Sequence, residues 1–224
     1  MAMGGPTPAP MKVDVETSGA SPQTVLAARV FLIDNFESGS LKSPREWWTF
    51  DIQKAAIAPN KDLTEGEKVD VGNYSLGLAG PSKNWYAGGC GTYLAKPGMD
   101  LSKYNTLTVD IYGNGPGSGT LKIELYDDDN TNWQVEQDPA KNYMPIYDDK
   151  FTYSINVDWT GWRRIVIPLM DFVDENPGVG DDIWNPAQDQ LSGGLLQMQL
   201  ICLGNSDKGK INFNLDNMAL TVAQ

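Results

Sequence analysis

From Val25 to the end of the chain, short apolar segments recur with Gly, Asn, Asp and Pro between them, and this spacing constrains the fold more than any other feature. They read "VFLIDNFE", "EWWTFDI", "NYSLGLAG", "NWYAGGCGTYLA", "NTLTVDIYG", "GTLKIELYD", "KFTYSINVDW", "WRRIVIPL", "LLQMQLICLG" and "KINFNLDNMALT". Strand-like runs bounded by turn residues, with no long amphipathic helical pattern among them, predict an all-β sandwich or barrel. Alternation is clean in two. Over 121–126 the residues Leu121, Ile123 and Leu125 face a core, while Lys122, Glu124 and Tyr126 face outward. Over 196–202 the core set is Leu196, Met198, Leu200 and Cys202, which leaves Gln197 and Gln199 on the other face, where a binding surface would lie.

The stretch "VDWTGWRRIVIPLMDF" at 157–172 carries two tryptophans, a β-branched run and a proline. Thr160-Gly161 reads as the turn of a hairpin corner, and the run after it as a strand. Pro168 has no N–H to give to a ladder, so it belongs at the strand's end or on a sheet edge. Trp162 is assigned to the core rather than to a ligand platform.

Composition removes whole classes of function. The chain has 224 residues and no histidine, so Ser-His-Asp triads, Cys-His pairs and His-ligated zinc or iron are excluded. Acidic residues outnumber basic ones 29 to 17, for a net charge of -12, and there is no dense Lys/Arg run. The charge therefore argues against nucleic acid and anionic membranes as partners, and a neutral ligand or a cation suits it better. Cys90 and Cys202 are too few for a disulfide framework or a four-cysteine metal site; two buried thiols and one bridge across paired strands both fit their apolar surroundings. No window reaches the roughly 18 apolar residues of a membrane helix. Residues 1–24, rich in Pro, Gly, Ser and Thr, have neither the charged nor the apolar region of a signal peptide and read as a flexible linker or an appended tail. Residues 25–224 are then expected to form a single β-sandwich domain of an exported protein in mature or trimmed form.

Two long segments lack strand character, 127–150 and 173–194, and both are rich in acids, amides and aromatics. Loops of that length in a compact domain tend to be functional or disordered, and Trp133, Tyr143, Tyr147 and Trp184 favour the functional reading. The first contains "DDDNTNWQVEQD", which mimics a calcium loop at Asp127 and Asp129 but has Asn132 where the required glycine would stand and Asp138 where the glutamate would stand; it reads as a solvated turn.

The succession "DNFESG", "NWYAGGCGTYLAKPGMDLSKYNTLTVDIYG", "GTLKIELYDDDN", "FTYSINVDWTGWRRIVIPLMDF" and "KGKINFNLDNMAL" resembles the jelly-roll carbohydrate-binding modules, family 11 and the related galactose-binding-like domains in particular. The resemblance runs from about Ile33 to Leu220 and implies a non-catalytic polysaccharide-binding module that targets an attached extracellular enzyme or surface assembly. Pyranose rings pack their flat C–H faces on aromatic rings and offer hydroxyls to amides and carboxylates. Candidate sugar-binding residues on these grounds are Trp85, Tyr86, Glu124, Tyr126, Trp133, Tyr143, Tyr147, Asp174, Gln197 and Gln199. After the strand-ending Phe172, the family pattern has arginine, aspartate and tyrosine where this chain offers Asp174 and Glu175, so the polysaccharide stays open. The resemblance also implies a structural calcium held by Glu37 and Asp216. A structural or assembly protein of the same fold is the second reading, and a glycoside hydrolase or lyase built on a carboxylate pair is the third.

Overall fold

The computed structural model describes residues 29–60 and 69–222; the expected tail at 1–24 lies outside them. The described strands are β1 (Val30–Asp34), β2 (Trp48–Phe50), β3 (Lys54–Pro59), β4 (Tyr74–Pro81), β5 (Tyr86–Tyr93), β6 (Thr106–Asn114) and β7 (Thr120–Asp128), followed by β8 (Gln137–Asp138), β9 (Met144–Pro145), β10 (Lys150–Asn156), β11 (Thr160–Pro168), β12 (Val173–Asp174), β13 (Gly194–Leu203) and β14 (Lys210–Thr221).

They form two six-stranded sheets and a small ribbon. The first sheet runs β11-β6-β14-β4-β3, with β1 also on β14; the second runs β12-β10-β7-β13-β5-β2; β8 and β9 make the ribbon. Every pairing is antiparallel. The chain repeatedly changes sheet between consecutive strands, as from β5 to β6, β6 to β7, β10 to β11 and β13 to β14. This is the all-β sandwich expected from the segment pattern, in the jelly-roll form that the resemblance implied.

The inner faces follow the alternation. Leu121, Ile123 and Leu125 of β7 pair with Cys202, Leu200 and Met198 of β13, and all six lie in one buried cluster with Leu107, Val109 and Ile111 of β6 and Phe213 and Leu215 of β14. A register shift between Leu195 and Gln197 puts Leu195 into that cluster; Leu196, expected there, is buried outside it. Cys90 and Cys202 are both buried and free.

The hairpin expected at Thr160-Gly161 is not one. β10 belongs to the second sheet and β11, which begins at Thr160, pairs with β6 in the first, so Val157, Asp158 and Trp159 carry the chain from one sheet to the other and Thr160-Gly161 already lies in a strand. Pro168 is the last residue of β11, which is also an edge strand, and Trp162 is buried with its ring edge-on to Tyr112 at 5.5 Å. β3 was not foreseen: its sequence, Lys-Ala-Ala-Ile-Ala-Pro, has little β-propensity, and it is placed by pairing with β4 at the edge of the sheet.

Candidate functional site

The outer face of the second sheet is organised in rows that cross four or five strands. One row is Trp48, Gly91, Gln199, Glu124 and Thr152. A second is Tyr93, Gln197, Tyr126 and Lys150. A third is Phe50, Gly89, Ile201, Lys122 and Ser154. At a strand spacing of about 4.8 Å the face is about 19 Å wide from β2 to β10.

Its β2–β5 side is aromatic. A Cβ on Gly91 would lie inside contact distance of the Trp48 ring, and one on Gly89 inside that of the Phe50 ring. The two glycines thus let the rings come close against the sheet, and Trp48 meets Tyr93 with centroids 5.4 Å apart. Its centre is a floor of amides and acid: Gln197, Gln199 and Glu124 are only 5%, 9% and 6% exposed. Gln199 Nε2 donates to Gln197 Oε1 at 2.9 Å, and the Tyr126 hydroxyl donates to Glu124 Oε2 at 2.6 Å. Burial, then the Glu124 charge, raises the Tyr126 pKa far above the ordinary phenol value, so the phenol stays a donor.

The β7–β10 side is ionic. Lys122 Nζ lies 3.3 Å from Glu124, and Lys150 Nζ lies 3.7 Å from Glu124 and 2.8 Å from Glu175; Lys122 also pairs with Glu175. Burial works to raise the Glu175 pKa, but hydrogen bonds from Lys122 and Lys150 outweigh it and hold the carboxyl below its usual range. Beyond Glu175 the face opens into a groove of about 410 Å³ between the β8–β9 ribbon and the loop after β12, lined by Asp138, Lys141, Met144, Ile146 and Val179 among others.

Of the residues expected from sequence, Glu124, Tyr126, Gln197, Gln199 and Tyr86 share this outer face. Tyr86 stands at its lower end, with its hydroxyl donating to Asp51 Oδ2 at 3.1 Å. Trp133, Tyr143 and Tyr147 lie in the segment joining β7 to β10, with Tyr143 and Tyr147 exposed and Trp133 half-buried, its backbone amide donating to Asp128 Oδ2 at 2.8 Å. Trp85 is exposed in the turn before β5 at φ 69°. Asp174 closes a turn, accepting from Asn176 N at 2.9 Å. Trp48, Tyr93, Lys122 and Lys150 were not selected from sequence, although Trp48 and Phe50 share a strand parity that matches the parity of Gly89 and Gly91.

The "DDDN" string is not a solvated turn. Asp127 and Asp128 are fully buried, as are Asp148 and Asp149 just before β10. Burial first, then the neighbouring Asp129 and Asp149, pushes Asp127 up to about 9, and burial likewise pushes Asp148 and Asp149 up to about 7 and Asp129 up to about 6. At the other predicted cation position, Glu37 Oε1 accepts from the amides of Asn73 and Tyr74 at 2.7 and 2.8 Å, and its Oε2 from Asn73 Nδ2 at 2.9 Å. Asp216 is fully buried, accepts from Asn217 N at 2.7 Å, and is pushed up to about 8 by burial. Beside it the buried Oδ1 of Asn60 has no partner among the described residues.

No family model and no curated protein matches the sequence. Solved structures do match its backbone. A family 11 carbohydrate-binding module from Clostridium thermocellum, in complex with a β-1,3-1,4-mixed-linked tetrasaccharide, is similar over 87% of this chain and 96% of its own, with 19% identity and a TM-score of 0.51. The fold is the β-sandwich of that module. An exo-β-agarase structure is similar over 86% of this chain and 25% of its own, with 15% identity and a TM-score of 0.53. The agarase match is to one part of a much longer chain. The outer face of the second sheet and the loops at its β7–β10 end are the parts of this fold that carry the unusual chemistry.

Proposed function

We propose that the protein is a polysaccharide-binding module that grips its ligand on the outer face of the second sheet and brings an attached extracellular enzyme or surface assembly to it. The observation that carries this reading is the Trp48–Tyr93 pair laid beside a floor of Gln197, Gln199 and Glu124. Sugar rings pack on the aromatic side, and hydroxyls exchange hydrogen bonds with the amide and carboxylate tips. Tyr86 extends the face at one end; Trp85, Trp133, Tyr143 and Tyr147 supply further stacking surface in the flanking loops, and Asp174 sets the turn that leads to Glu175. The Glu175 carboxyl, held ionised by its two lysines, suits hydrogen-bond acceptance rather than proton donation. Binding works by raising the local concentration of the attached partner, without covalent chemistry.

A structural calcium at Glu37 and Asp216 forms part of this reading. It is supported by the full burial of the Asp216 carboxylate and by the unpartnered oxygen of Asn60 beside it. A surface or filament subunit is the second reading, favoured by the exposure of Val166, Met170 and Val173 around the end of the β11 edge strand. Affinity electrophoresis of the purified chain through gels of soluble β-glucans, xyloglucan, mannan, xylan and pectin tests the choice. Retardation in one gel is the expected result; free migration in all of them, with self-association in sedimentation, would favour the subunit reading.

A further inference from the structure

Three loops bring aspartates together at one end of the second sheet: Asp127 and Asp129 where β7 finishes, Asp149 just before β10, and Asp181 in the loop between β12 and β13. Each of the first three uses one oxygen for a backbone amide. Asp127 Oδ2 accepts from Asn185 N at 3.0 Å, Asp129 Oδ2 from Asp149 N at 2.9 Å, and Asp149 Oδ2 from Ile183 N at 3.1 Å. The other oxygen, Oδ1 in all three, is buried with no hydrogen-bond partner among the described residues. Asp127 and Asp149 are 0% exposed.

Unpartnered carboxylate oxygens are costly to bury, and three of them together repel one another unless a positive charge sits among them. Each residue offers an oxygen within 4.8 Å of the other two, a spread that fits shared contact with one ion at about 2.3–2.6 Å. Gly180, at φ +78°, closes the cluster from the third loop, and a Cβ there would overlap Asp149 Oδ1 and Asp129 Oδ2. The donors are all hard oxygens, and the chain has no histidine, which favours calcium over a transition metal. The buried Oδ2 of Asp148, also without a partner, stands ready nearby.

We propose that Asp127, Asp129 and Asp149 hold a calcium ion that ties the three loops together, at a site separate from Glu37 and Asp216. Its anchor points adjoin the proposed ligand face, since Tyr126 precedes Asp127 and Lys150 follows Asp149. The site does not depend on a sugar being bound.

Titrating calcium alone into the chelator-treated full chain by calorimetry tests it. Asp127→Asn and Asp149→Asn keep the side-chain shape and remove charge. Both are expected to bind one ion fewer than the wild type, or to bind it at least tenfold more weakly, whereas Asp216→Asn retains the ion that they lose. Equal stoichiometry and affinity in wild type, Asp127→Asn and Asp149→Asn would overturn the proposal. Hydrogen exchange of the wild type needs no variant: calcium is expected to slow exchange at the amides of Asp149, Ile183 and Asn185, and unchanged exchange there would also overturn it.

Discussion

Gly91 has no side chain to spare, because the Trp48 ring lies over it. Gly91→Ala should lift that ring, cost about 1–3 kcal/mol by overpacking, and weaken sugar retention along with it; urea unfolding and affinity gels measure the two effects. The glycine-rich run was legible in the sequence as a strand, but which aromatic covers which glycine is set by pairing between β2 and β5, and spacing along one chain does not reveal it. The cysteines make a second residue-scale prediction. Burial pushes the Cys90 thiol up to about 12, and Cys202 is raised as well. Both should be inert to a thiol reagent at pH 8 in the native protein and react at once in urea. Since the folded thiols keep their protons where unfolded ones lose them, stability should fall as pH rises above about 9, the usual thiol value being near 8.5.

At the scale of elements, the sandwich core was readable from period-two alternation wherever one face is buried. Leu200 sits fully buried in the middle of β13. Leu200→Ala should cost about 2–5 kcal/mol in denaturant unfolding. What escaped the sequence were features decided by partners: β3, with weak propensity, is held by β4, and Thr160-Gly161, which looks locally like a hairpin turn, is the start of β11 just after the chain has crossed between sheets. The bridge between β7, β10 and the loop after β12 rests on Glu175. Its carboxyl is held low in the folded state, so its contribution is present above the unfolded value near 4.5 and is lost as pH falls through the lower folded value. Glu175→Gln should remove that part of the acid limb and lower stability by about 1–2 kcal/mol, discounted for the partial exposure of the carboxyl. Thermal melts of both proteins from pH 3 to 6 check it.

For the whole molecule, the -12 net charge is unevenly used, with acids concentrated in the loops at one end of the second sheet. The sequence announced many acids but not that Asp127 and Asp149, 22 positions apart, would meet, because only the loop ends of β7 and β10 bring them there. An ion that binds only the folded chain adds about 2.7 kcal/mol at a hundredfold excess over its Kd. Chelator should therefore lower Tm by roughly 5–10 °C per calcium site, and added calcium should restore it. An unchanged Tm in metal-free buffer would leave neither calcium site standing.

The central claim is that the outer face of the second sheet binds polysaccharide. Its most direct test is the retention of wild type, Trp48→Ala, Tyr93→Ala and Gln199→Ala in an affinity gel of the polysaccharide that retards the wild type, with circular dichroism to show that each variant is folded. The account predicts that all three folded variants migrate freely or nearly so. Retardation of the three variants equal to that of the wild type would place the binding surface elsewhere and contradict it.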